Sequence, residues 1–189
     1  WIEVSSTTCN TTEAGGECSG EVSVGIWGAE TFDQINVAIS NPRPAEVDVW
    51  FQGPGGGRMQ AIAFSAATKE TKHLLFFRGQ DDSVDDDAQF VPVQLVPQLT
   101  YKADSAVVGT MSLARVTTTV TNEDDDVAGL TMTPVSGQLN NGSYVTNEKS
   151  TMSSSFGIQL NTQPTHLVRV ALSSSNDGEG KFTDRKSVV

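Results

Sequence analysis

Two acidic runs hold the densest chemistry in the sequence. In "RGQDDSVDDDAQF" (78–90) five aspartates fall within seven positions, and "NEDDD" (122–126) repeats the pattern further on. Carboxylates gathered this closely repel one another and raise each other's pKa, so each run is either fully solvated or neutralised by a cation. The other candidate groups lack partners. "GPGGGR" (53–58) has the glycines of a phosphate loop, but no helix pattern follows it, and it reads as a hairpin loop. His73 and His166 sit in strand patterns with no nucleophile motif nearby, which predicts a protein that is not an enzyme. Acid/base hydrolysis by paired carboxylates is the weakest option, because the acids are crowded and no cleft is evident. Of Trp1, Trp27 and Trp50, the last belongs to the alternating "VDVWF" and reads as packing, which leaves Trp27 in "IWGAE" as a candidate glycan contact.

Positioning such groups takes a folded scaffold, and 189 residues with 37% hydrophobic content suffice for one large domain or two small ones. A net charge of -11 and a pI near 4.4 argue against nucleic acid, since no basic stripe exists to displace phosphate counterions. No apolar run reaches the roughly 18 residues needed to cross a bilayer, so no membrane span is expected in this chain. The start "WIEVSSTT" has neither a basic nor an apolar signal region; any signal peptide or anchor is expected to be removed or to lie outside this sequence. Cys9 and Cys18 in "TTCNTTEAGGEC" have Gly15 and Gly16 between them to let the loop close. The pair reads as a disulfide, with two free thiols as the alternative, while zinc would require a second ligand pair. A disulfide implies an oxidising compartment, and the acceptor patterns at Asn10 and Asn141 suit N-glycosylation there. The expected location is extracellular or at the cell surface.

Helical periodicity is almost absent. "EVSVGIW" (21–27), "FDQINVAI" (32–39), "EVDVWF" (46–51), "MQAIAF" (59–64), "HLLFF" (73–77), "FVPVQLV" (90–96) and "ARVTTTV" (114–120) read as strands punctuated by Gly, Pro, Asn and Asp. The fold class is all-β, an antiparallel sandwich. "TKETK" could hide a helical turn, and "YKADSAVVGTMSL" reads as a long connection. A shift of 121 positions lays "INVAISNPRPAEVDVWF" on "FGIQLNTQPTHLVRVAL", with Val47, Val49 and Phe51 falling on Val168, Val170 and Leu172. Two modules follow: residues 1–126 complete, and 127–189 the start of a second, incomplete sandwich. A half-sandwich exposes strand edges, so the protein continues or another chain completes the module.

The segments "HLLFFRGQDDSVDDDAQFVPVQL" and "VTTTVTNEDDD", with "TEAGGE" (12–17) near the start and "LNTQPTHLVRVALSSSNDGEG" in the second copy, resemble the Calx-β domain of large tandem-repeat surface proteins. The resemblance implies tandem immunoglobulin-like sandwiches whose acidic loops gather at one end and bind Ca²⁺. The ligands it implies are Asp81, Asp82 and Asp85 from the first run, Asp124, Asp125 and Asp126 from the second, and Glu13. The sequence departs from the family in an expansion carrying the cysteines and Trp27. Glu148 could stand for Glu13 in the second copy, but that copy lacks aspartate clusters, and no complete second site is expected.

The chemistry suits calcium, which takes six to eight oxygen ligands in flexible geometry, whereas Mg²⁺ prefers a tight octahedron and transition metals want His or Cys. "DDSVDDD" lacks the spacing of an EF-hand loop, so a site must be built from distant segments. "NEDDD" runs straight into the second module without a linker, and calcium there would stiffen the joint. The reading that results is an extracellular structural or adhesive repeat module, its partners being neighbouring repeats or chains of the same protein. The alternatives are a subunit of a polymeric surface filament completed by a neighbouring chain, and a carbohydrate-binding module that recognises glycans.

Overall fold

The computed structural model describes residues 2–5, 8–24, 34–65, 67–68, 71–103, 106–149 and 152–182. The chain divides into two compact units, the first comprising Trp1–Asp82 and Asp86–Asp125, the second Ser83–Asp85 and Asp126–Val189.

The first unit is a two-sheet, immunoglobulin-like sandwich. Its strands are β1 (Ile2–Val4), β2 (Thr8–Thr12), β3 (Glu17–Val24), β4 (Gln34–Ser40), β5 (Val47–Gln52), β6 (Arg58–Met59), β7 (Ala61–Ser65), β8 (His73–Gly79), β9 (Gln89–Ala103), β10 (Ala106–Ser112) and β11 (Val116–Glu123). One sheet runs β1-β3-β8-β5-β6; the other runs β2-β11-β9-β4-β7, with β10 also paired to β9. Period-2 alternation makes each strand two-faced. The inward set includes Ile35 and Val37 of β4, Val47, Val49 and Phe51 of β5, Leu75 and Phe77 of β8, and Val91, Val93 and Leu95 of β9, all buried in one core. Trp50 points the other way yet is also buried: it stacks on Phe76 with centroids 5.6 Å apart and lies under the Arg58 guanidinium at 3.9 Å. Arg58 is in turn paired with Asp48.

One expectation about this unit needs correction. "YKADSAVVGTMSL" is no connection: β9 extends through it to Ala103 and β10 returns antiparallel, Thr100 facing Thr110. Alternation is weak there, which is why the pattern hid two strands. The cysteine segment is strand, turn, strand, with Cys9 on β2 and Cys18 on β3. Of "TKETK" (68–72), residues 69 and 70 lie outside the described residues; Thr68 N–H donates to Ser65 O at 3.1 Å and Thr71 N–H to Thr68 O at 2.9 Å. "GPGGGR" forms the β5–β6 loop, closed by Gly53 N–H to Gly57 O at 2.7 Å. Trp1 and Trp27, with the end of the expected strand 21–27 and the start of 32–39, lie outside the described residues.

The second unit contains β12 (Leu130–Ser136), β13 (Gln138–Asn140), β14 (Ser143–Val145) and β15 (Ser155–Leu160). β12 pairs antiparallel with β15, and β13 with β14 across an Asn141-Gly142 turn in which both residues have positive φ, 50° and 81°. The shift of 121 carries β4 onto β15. Past β15 the parallel with the first unit lapses: residues 161–182 form no strand, although 168–172 repeat the alternation of β5. β5 lies between β8 and β6, and no described residue of the second unit supplies either neighbour.

Candidate metal centre

Strand direction builds the acidic end of the first unit. β2 and β11 are parallel neighbours, Thr11 facing Asn122 and Thr12 facing Glu123, so both chains leave the sheet at the same end. Glu13 N–H continues that ladder to Glu123 O at 3.0 Å. The chain then turns into β3, which runs back antiparallel to β8 with Glu17 facing Arg78. β8 therefore also ends here, and Gly79 N–H donates to Gly16 O at 3.0 Å. The turn between β2 and β3 requires a positive φ at Gly15, 86°, where an L side chain would be strained. Cys9 and Cys18 are bonded across this turn, linking one sheet to the other with Cα atoms 6.1 Å apart. Glu13 thus sits in a covalently closed loop.

Carboxylate oxygens of Glu13, Asp81 and Asp125 lie within 4.8 Å of one another. Oxygens that share one Ca²⁺ at about 2.4 Å can stand at most about 4.8 Å apart, so the spacing fits a single ion. Asp81 and Asp125 are exposed, whereas Glu13 is only 1% exposed, and its Oε2 is buried without a hydrogen-bond partner. A buried ionised carboxylate with no donor is costly. Burial first, then the charges of Asp124, Asp82, Asp86 and Glu46, push the pKa of Glu13 up to about 7. The end of the sandwich therefore holds a carboxyl that a proton or a cation would satisfy.

The implied ligand set divides. Asp81 and Asp125 join Glu13, and a carboxylate oxygen of Asp124 also lies within 4.8 Å of it. Asp82 is exposed and contributes field. Asp124, half-buried, accepts through Oδ2 the backbone N–H groups of Asp86 at 2.9 Å and Asp87 at 3.0 Å, which folds the first acidic run against the second. Asp85 and Asp126 belong to the second unit, where Asp85 Oδ2 accepts the N–H of Ala128 at 2.7 Å and Asp126 is half-buried. Glu148 is exposed, as are Asn10 on β2 and Asn141 in its turn. His73 is half-buried against the edge of Phe64, centroids 5.0 Å apart, and His166 is exposed.

Sequence reasoning missed Glu46, whose pKa is raised by burial and Asp86 against the lowering effect of Arg43. It stands just before β5 and reads as one more polar position of the alternation. Asn122 was missed too. It is fully buried between strand ends, and only its place beside the acidic run hinted at a role.

No protein-family model matches the chain, and no curated protein matches it. Among solved structures it is similar to the E. coli chaperone DraB, with a TM-score of 0.42, 10% identity and 88% of each chain covered. It is also similar to the YadV chaperone, with a TM-score of 0.38 and 9% identity over 72% of this chain; the match spans 62% of the YadV chain.

Proposed function

We propose that the first unit is a non-catalytic, extracytoplasmic structural module of the Calx-β type, whose acidic end binds Ca²⁺ through Glu13, Asp81 and Asp125, with backbone carbonyls or water completing the shell. The observation that carries the reading is Glu13: a buried carboxylate oxygen with no donor, set among other carboxylates at ion-sharing distance. A solvated acidic turn would leave its acids in water. The Cys9–Cys18 bridge supports an oxidising compartment. The ion would neutralise the like charge and order the loops that bear it.

Thermal unfolding in chelator and then across a Ca²⁺ titration, with Mg²⁺ as control, tests this. Binding to the native state raises stability by about 2.7 kcal/mol at a hundred times Kd. For a chain of this length that is a rise in Tm of roughly 5–10 °C. The rise should vanish in Glu13→Gln and Asp125→Ala proteins. An unchanged Tm in the wild type would falsify the metal reading.

The second unit favours a further reading, in which a strand from elsewhere completes it, as in a filament of mutually completing chains. Val168, Val170 and Leu172 are 47%, 43% and 48% exposed, while their counterparts Val47, Val49 and Phe51 are 0%, 3% and 0% exposed. In the first unit those three face Gly79, Phe77 and Leu75 of β8. An added strand with that alternation would cover the second set. A peptide copying residues 72–80 should slow amide exchange over 167–172 and a scrambled peptide should not; equal exchange with both would count against completion.

A further inference from the structure

We infer that Asn122 is the positioning residue of the cation site: its buried carboxamide fixes, relative to one another, the three strand ends from which Glu13, Asp81 and Asp125 project. The inference rests on the calcium reading above. Asn122 is fully buried at the end of β11. Thr11 Oγ1 donates to its Oδ1 at 2.9 Å, and its Nδ2 donates to the backbone oxygen of Gln80 at 3.3 Å. The orientation of the amide is determined by these partners, since the Gln80 carbonyl can only accept. Thr11 stands two residues before Glu13, Gln80 one before Asp81, and Asn122 three before Asp125. One side chain therefore joins all three ligand-bearing segments.

The surroundings leave that side chain little freedom. Gly79 packs so closely that a Cβ on it would overlap the backbone oxygen of Thr12 and Oδ1 of Asn122. Gln80 is held from its other side, its N–H donating to Glu46 O at 2.9 Å. Buried polar groups joined in this way order their neighbours more than their net energy suggests, because each misplacement strands a donor or acceptor away from water. Three carboxylates repel in the absence of an ion, and the amide adds an uncharged tie to the backbone bonds from Glu13 N–H to Glu123 O and from Gly79 N–H to Gly16 O. An amide can do this without adding a fourth negative charge, which an aspartate at 122 would.

Isothermal calorimetry with CaCl₂ on chelator-stripped protein provides the test, with near-UV dichroism to show that each variant is folded at the temperature used. Wild type should bind. Asn122→Ala and Thr11→Val should bind about tenfold more weakly or worse, the scale seen when outer partners of metal ligands are removed. Thr11→Ser keeps the hydroxyl and should restore affinity to within about threefold of wild type. A structural role alone would lower Tm in chelator and leave the Kd of folded protein unchanged. If Asn122→Ala does not fold, the Thr11 pair decides. No calcium heat from the wild type overturns the cation reading and this inference with it. A wild type that binds, beside Asn122→Ala or Thr11→Val proteins that bind equally well, overturns this inference alone.

Discussion

The same alternating stretch has two fates in this molecule. Val47, Val49 and Phe51 form the middle of a sheet with β8 and β6 on either side and are essentially dry, whereas Val168, Val170 and Leu172, at equivalent positions of the repeat, are about half exposed and pair with nothing among the described residues. Side-chain type does not separate the two. Burial of a strand depends on its neighbours, so a period-2 pattern encodes a capacity for pairing, and pairing follows only where another strand is present. The acidic end of the first unit extends the point. Its carboxylates are brought together because three strands that are remote in sequence end at one place.

The contrast sets the size of the effects expected on breaking it. Phe51→Ala should cost the first unit about 3–5 kcal/mol, the usual penalty for emptying a packed aromatic site. Leu172→Ala should cost less than about 0.5 kcal/mol, because the side chain it removes is already wet. Denaturant unfolding followed through Trp50 would read the first value and amide exchange the second; similar losses would mean that the second stretch is buried after all. Glu13 gives the next largest effect. Its pKa rises on folding from 4.5 to about 7. The folded protein therefore holds the proton more tightly, and the associated stability is complete below about pH 4.5 and lost as pH rises to about 7, by at most about 3 kcal/mol. Unfolding in chelator between about pH 5 and pH 8 should show this fall, and Glu13→Gln should flatten it. A slope that survives the substitution would place the shifted group elsewhere. Replacing Cys9 and Cys18 by serine should cost about 2–3 kcal/mol, as expected for a closed loop of this size. The loss should appear only in the first unit, since the second has no cysteine.

Much of the first sandwich was legible in the sequence, because β4, β7, β8 and β11 alternate over one buried face and β5 does so apart from Trp50. β10 and the last residues of β9 were not, since "YKADSAVVGTMSL" mixes small, polar and apolar residues without a clear alternation. β2 was hidden by its composition, "TCNTT", which reads as loop although Cys9 and Thr11 face inward. The acidic runs announced themselves by charge, and the resemblance placed Glu13 with them. Local pattern could not tell which aspartates share a site, because that depends on the parallel pairing of β2 with β11, a contact across more than a hundred residues. Glu46 and Asn122 carry no sequence signal of their own; their roles come from burial among strand ends.

His73 isolates what Glu13 leaves behind. The imidazole is half-buried against Phe64, and burial lowers its pKa from the usual 6.5. The unfolded chain therefore takes up a proton first as pH falls. Stability contributed by neutral His73 is present above about pH 6.5 and is lost as pH drops toward the lower folded value, the reverse of the Glu13 trend. In wild type the two slopes oppose one another over the overlapping window, and the net change is smaller than the Glu13 change alone. A Glu13→Gln protein should unmask the histidine slope, with stability falling toward acid. Adding His73→Gln should remove that slope in turn. If the double variant gained stability on mild acidification, the remaining titration would have the Glu13 sign, and half-buried Glu46, raised by burial and by Asp86 against Arg43, would be the next side chain to replace.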